Sequence, residues 1–171
     1  ENAIDFGADI FETDPIDPSW LTSGGAEIYE EGTLGGSSIY SEVFAYEVLA
    51  RCEDAALIKS ETEIVYTDSG GTKTDILVEI AGVNVGVSVT RAYQYHPTEP
   101  MSEETAQALL SSKLEGVLES AENVSAEDAW SHSVLHVVAW DADTAQTVRE
   151  AYDTLDAATT ADTIVVRSEE H

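Results

Sequence analysis

The sequence predicts an α/β fold in which a central mixed sheet is flanked by helices. Three observations predict it. Two long segments, about 38–56 and 102–124, repeat apolar residues at helical spacing. Between them lie three runs rich in Val, Ile and Thr, separated by turn residues, as in an antiparallel meander. The last three elements alternate strand, helix, strand, which implies a parallel pair joined by a right-handed crossover. The order is α-β-β-β-α-β-α-β.

Residues 1–36 differ from the rest and read as an acidic N-terminal arm preceding an α/β domain over 37–171. "FETDPIDPSW" contains two Asp-Pro steps, which disfavour helix at the preceding residue. "EEGTLGGSS" is turn-prone. The arm is expected to pack through Ile10, Phe11, Trp20 and Leu21.

The first helix, "SIYSEVFAYEVLARCEDAA", carries one apolar stripe through Ile39, Val43, Tyr46 and Ala50 and another through Tyr40, Phe44 and Val48. So wide an apolar arc suits a helix pressed on a sheet, and Ser37 or Ser38 caps its start. The first strand is expected at "ETEIVYT" (61–67), closed by the hairpin turn "DSGG". "TDILVEI" (74–80) and "NVGVSVTRAY" (84–93) complete the meander. Strand alternation places Asp75, Leu77 and Glu79 on one face, and Gly86, Ser88 and Thr90 together on one face of the next strand. After the loop "RAYQYHPTEP", the second helix is capped by Ser102 and has Glu103 and Glu104 in its first turn. Its inner stripe runs through Ala106, Leu109, Leu110, Val117, Leu118 and Ala121, with Lys113 between Leu110 and Val117. "SVLHVVAW" (133–140) is continuously apolar and so buried on both faces. "DADTAQTVREAYDTL" is a third helix and "DTIVVRS" (162–168) the last strand.

Charge dominates the composition. Seven basic residues face 34 acidic ones, giving a net charge of −27. The acids are spread along the whole chain, and only Lys59, Lys73 and Lys113 are lysines. This suits a surface adapted to high salt, where screening shortens the range of self-repulsion to about 3 Å at 1 M. The rival reading is an acidic partner protein that binds a basic toxin or enzyme. Nucleic-acid binding through a general basic patch is excluded. No run of 18 apolar residues marks a membrane span. Cys52 is the only cysteine, so an intrachain disulfide is excluded, and its helical, apolar context predicts a buried thiol. Without a visible leader or a disulfide, the sequence points to the cytoplasm.

Asp75 on the second strand of the meander, Glu42 on the first helix and "VGVSVTRA" on the third strand carry a resemblance. Over residues 38–168 the chain resembles the PD-(D/E)XK nuclease-like, or restriction-endonuclease-like, superfamily. The resemblance implies a site in which a strand aspartate and a helix glutamate hold Mg²⁺, while Glu-x-Lys on the third strand adds a ligand and a water-positioning cation. Asp75 matches the aspartate, and Glu42 matches the helix carboxylate with Glu47 as its alternate. Ser88-Val89-Thr90 falls where Glu-x-Lys belongs, so the pair is replaced by two hydroxyls. Lys113 is the candidate for a recruited lysine, since members of this fold sometimes take it from the second helix. Glu79 lies about 13 Å along the strand from Asp75, too far to share its ion. Arg91 alternates away from the site.

Two functions follow from the resemblance. One is a nuclease-fold protein with a degenerate metal site, weakly active or inactive, serving as a binding or structural module and needing no cofactor. The other is a divergent Mg²⁺-dependent nuclease acting through Asp75, Glu42, Ser88, Thr90 and Lys113. His132 and His136 read as plain structure, since they lie four apart on a strand, a spacing that does not converge; His96, beside Tyr93 and Tyr95 in the loop that would border the site, reads either as a plain His96-Pro97 turn or as a ligand contact. Trp130 and Trp140 read as core.

Overall fold

Five strands form one mixed sheet in the order β1-β2-β3-β4-β5. They are β1 (Ala56–Ser60), β2 (Ile76–Ile80), β3 (Val83–Ala92), β4 (His132–Ala139) and β5 (Thr163–Glu169). The computed structural model describes residues 16–34, 38–93 and 100–169. β1, β2 and β3 pair antiparallel, whereas β3/β4 and β4/β5 pair parallel. The meander turns at Ala81-Gly82, both at positive φ (51° and 80°), the region that Gly82 occupies without steric cost.

The helices are α1 (Ser23–Glu31), α2 (Ile39–Glu53), α3 (Glu103–Asn123), α4 (Ala142–Asp153) and the single turn α5 (Ala157–Thr160). Helices α1 and α2 cover one face of the sheet, where Ile28, Val43, Tyr46 and Leu49 pack on Ile76, Val78, Val85, Val87 and Val134. Helices α3 and α4 cover the other, where Leu110, Leu114, Val117 and Val148 pack on Leu135 and Val137. β4, between β3 and β5, is buried from Ser133 to Ala139, as its unbroken apolar run predicts.

Four expectations are corrected. The first strand lies at Ala56–Ser60, not 61–67. The 61–67 segment is instead strapped over the end of α3: Tyr66 bridges Val124, the Val65 N–H donates to Asp128 at 2.7 Å, and the Thr67 N–H donates to the Asn123 carbonyl at 2.8 Å. Residues 23–31, expected within the acidic arm with no helix assigned there, form helix α1, capped by the Thr22 hydroxyl. Its Gly24 and Gly25 are helical because they lie against α2. A Cβ on Gly24 would collide with the Tyr46 hydroxyl, and one on Gly25 with Glu47 Oε1. Cys52 is exposed, because α2 turns its last residues to solvent before ending at Asp54 in the left-handed conformation (φ 53°). Lys113 is exposed beside the buried Leu114, on the flank of α3 and not on its inner stripe.

Of the arm residues expected to pack, Leu21 lies against the core and Trp20 is largely exposed. Ile10 and Phe11 fall outside the described residues. Among the described residues no helix is long and apolar enough to cross a membrane.

Candidate functional site

The sheet has a step. β1 ends at Ser60 and β2 begins opposite it at Ile76, yet β3 continues beyond Val87, the partner of Ile76, as far as Ala92. Asp75 stands at this step, one residue before β2. Its carboxylate accepts the Val89 N–H of β3 at 2.6 Å, so it takes over a bond that a longer β2 would have made with its backbone. Asp75 is half-buried, and burial is the main cause that pushes its carboxyl up to about 7. The negative charge of Glu42, and more weakly that of Glu61, pushes the same way, while the Val89 N–H and the positive charge of Lys113 oppose it.

Glu42 reaches this region from the first turn of α2. It is 2% exposed, and burial raises its proton affinity against the bonds from Ser38 and Thr33. The Thr33 hydroxyl lies 3.0 Å from Glu42 Oε1 and 2.7 Å from Glu61 Oε2. The two carboxylate oxygens are therefore separated by at most the sum of those lengths. Glu61 follows directly on β1 and is further fixed by the Leu34 N–H at 2.8 Å. Glu42 and Glu61 thus meet through Thr33, and the negative charge of both is felt at Asp75.

Glu47, the alternate helix carboxylate, is committed elsewhere. One oxygen accepts the Thr22 N–H and hydroxyl at 2.6 and 2.8 Å, and the other accepts Arg51 Nε at 2.7 Å. It fastens α1 to α2. Glu42 and Asp75, in contrast, make no salt bridge among the described residues.

On the third strand, Ser88 follows Val87, the last residue of β3 paired with β2, whose carbonyl accepts the Asp75 N–H at 3.2 Å. Its hydroxyl lies 3.0 Å from that of Thr74, which lies 3.3 Å from that of Ser120 on α3. Thr90 is buried against the same face. Glu79 is exposed at the far end of β2, opposite Asn84. Arg91 stacks over the Tyr93 ring at 5.7 Å.

The donor set is all oxygen, and it includes two carboxylates whose burial disfavours their charged forms without a cation in contact. That environment fits a hard divalent ion such as Mg²⁺, which takes oxygen ligands and would compensate both charges. Glu42 and Asp75 are the residues that would hold it.

Sequence reasoning did not single out Glu61, Thr33, Thr74 or Tyr66. Tyr66, pushed up to about 12 mainly by burial, accepts the Thr74 N–H at 2.7 Å and so fixes the backbone entering Asp75. Among the described residues, the acids that meet most tightly are Glu27, Glu31 and Glu63, an exposed trio with oxygens within 4.8 Å of one another. His132 is exposed and His136 fully buried, with Nε2 2.8 Å from Ser168 Oγ and the ring edge-on to Phe44. Trp130 and Trp140 are half-buried rather than core. His96 lies outside the described residues.

No family model matches the chain. A stretch of 123 residues is 38% identical to the AAC-rich mRNA clone AAC4 protein of Dictyostelium discoideum, covering 68% of this chain. The chain spans only 18% of that relative's length. Among solved structures, it is similar to Pyrococcus furiosus SfsA in complex with Ca²⁺, with a TM-score of 0.40 and 12% identity over 77% of this chain and 55% of that one.

Proposed function

We propose that this chain is a PD-(D/E)XK-like domain in which Glu42 and Asp75 hold one divalent cation, while the altered third strand leaves it weakly hydrolytic or inactive, as a binding module. The observation that supports the reading is that a helix-borne and a strand-borne carboxylate, Glu42 and Asp75, feel each other's charge near the step of a mixed sheet, and neither is salt-bridged among the described residues. When bound, the ion supplies Lewis-acid stabilisation of charge on a phosphate and a more acidic water. The third strand offers Ser88 and Thr90 in place of a third carboxylate and a lysine. Loss of one preorganised polar group of this kind lowers rates on the order of 10³-fold. The charge of −27 also repels a polyanionic substrate unless salt is high.

Titration calorimetry with Mg²⁺ and Mn²⁺ tests the reading. The wild type should give a one-site isotherm that Asp75→Asn abolishes; absence of binding by the wild type overturns it.

One observation favours a second reading, an active nuclease: the charge of Lys113 reaches Asp75 although its side chain is exposed. In that case metal-dependent cleavage of DNA or RNA would be readily measured and would collapse in Lys113→Met. Under the first reading, cleavage is slow and Lys113→Met leaves it unchanged.

A further inference from the structure

A cleft of about 680 Å³ opens between the last turns of α3 and the first residues of β4 and β5. That volume lies within the range of small-molecule sites, about 300–1,000 Å³. Ser133 and its β5 partner Thr163 line it, and strand alternation puts Ser133 on the face of Leu135, which packs under α3. The cleft is therefore on the opposite face of the sheet from α2 and Glu42.

Three features of its wall point to one kind of ligand. Leu118 and Ala121 of α3 form an apolar side, and Trp130 adds an indole plane. The indole lies so close on Gly86 that a Cβ there would come within 2.5 Å of it, and its Nε1 donates to Ser133 Oγ at 3.1 Å, so the ring is held in place. The titratable groups are Glu122, Asp162 and His132, and no lysine or arginine lines the cleft. Glu122 and Asp162 are exposed and form no ion pair among the described residues. Glu122 also stands in the last turn of α3, which carries no basic residue, so its charge adds to the negative end of the helix dipole. Finally, the Thr163 hydroxyl is buried without a hydrogen-bond partner, in a residue 7% exposed. A buried hydroxyl left unpaired is a cost that a bound donor removes.

We propose that this cleft binds a small aliphatic diammonium ion. Its ammonium groups meet Glu122 and Asp162, its methylene spine lies along Leu118, Ala121 and the face of Trp130, and one N–H donates to Thr163 Oγ1. An ammonium over an indole gains from the ring quadrupole as well as from the carboxylates. The site is independent of any cation at Asp75 and Glu42.

Titration calorimetry of the full chain with butane-1,4-diamine tests the proposal, at pH 8 in about 0.15 M KCl, where charges beyond about 8 Å are largely screened. The wild type should give a one-site isotherm and a change in tryptophan emission that Trp130→Phe removes. Butylamine, with one ammonium, should bind about two- to fivefold more weakly, and Asp162→Asn and Glu122→Gln should each weaken the diamine by a similar factor. Glu103→Gln is the control: it removes an equal charge roughly 28 Å away along α3 and should leave binding unchanged. Thr163→Val removes the unpaired hydroxyl and keeps a β-branched shape. It should raise the Tm of the free protein by about 2–4 °C while weakening the diamine by about tenfold, as for a lost hydrogen bond to a charged group. Should that variant lose its fold, the Asp162→Asn, Glu122→Gln and Trp130→Phe arms decide alone. The proposal is overturned if the wild type binds no diamine, if butylamine binds as tightly, or if Trp130→Phe keeps the full emission change. It is equally overturned if a folded Thr163→Val binds like wild type, or if Glu103→Gln costs as much as Asp162→Asn, the mark of a diffuse counter-ion cloud.

Discussion

Replacing Asp75 with Asn should stabilise the metal-free protein at alkaline pH, although it alters a well-placed side chain. Asp75 has its carboxyl raised from 3.8 to about 7, chiefly by burial and next by Glu42. A carboxyl with raised folded-state affinity holds its proton in the native state after the unfolded chain has released it. Between pH 3.8 and about 7 the native state therefore binds more protons, and stability falls as pH rises. Each unit is worth about 1.4 kcal/mol, so above pH 7 the full cost approaches about 4 kcal/mol as an upper bound. Asn keeps an oxygen for the Val89 N–H and carries no charge. The expected gain at pH 8 in EDTA is about 2 to 4 kcal/mol, or several degrees in Tm at about 2–4 °C per kcal/mol for a chain of this size. At pH 5 the gain should shrink below about 2 kcal/mol, because the wild type is then largely protonated in the fold. Urea titration at both pH values, in high KCl, measures it. Magnesium should close most of that gap: at a hundred times Kd it stabilises the wild type by about 2.7 kcal/mol and leaves the variant unmoved. An Asn variant less stable than wild type at pH 8 in EDTA, or a gain that does not fall with pH, refutes the reasoning.

Glu47→Ala leaves the Thr22 N–H and hydroxyl without their acceptor and Arg51 without its carboxylate; with Arg51 partly exposed, the expected loss is about 2 to 3 kcal/mol by urea titration. Gly86→Ala places a Cβ 2.5 Å from Trp130 Cε2, so it should lower stability by about 1 to 3 kcal/mol and shift the tryptophan emission; an unchanged melting curve would contradict this packing. Raising KCl from 0.1 M to 1 M shortens the screening length from about 10 to 3 Å, so Tm should climb steadily for a chain of charge −27; a flat or falling Tm would show that repulsion is not what limits stability.

Elements with an unambiguous period were legible in the sequence. α3 and β4 differ from expectation by about a residue at each end, because a long amphipathic repeat and an unbroken apolar run admit few alternatives. β1 was misplaced for a definite reason. "ETEIVYT" alternates like a strand, but Asp128 and Asn123, both distant in sequence, claim its backbone groups, while the shorter "ALIKS" pairs with β2. Helix α1 was hidden by Gly24 and Gly25, which signal a turn locally and serve here as contact surface for α2. At the site, Asp75 and Glu42 stood out by residue type and element. Glu61 and Thr33 did not, because only the folded chain brings the α1–α2 connection over the end of β1. The Ser88–Thr74–Ser120 line likewise joins three ordinary hydroxyls that no spacing rule connects.

The glycine contact between α1 and α2 has a mechanical consequence. With no Cβ to hold them apart, and with Glu47 stitching Thr22 to Arg51, the two helices travel as a single plank. Thr33 hangs from the hinge between them, its hydroxyl wedged between Glu42 and Glu61. Prising α1 loose would drag that wedge out and leave two acids facing each other unbuffered, so the roof over the carboxylates is only as firm as the seam at Gly24 and Gly25.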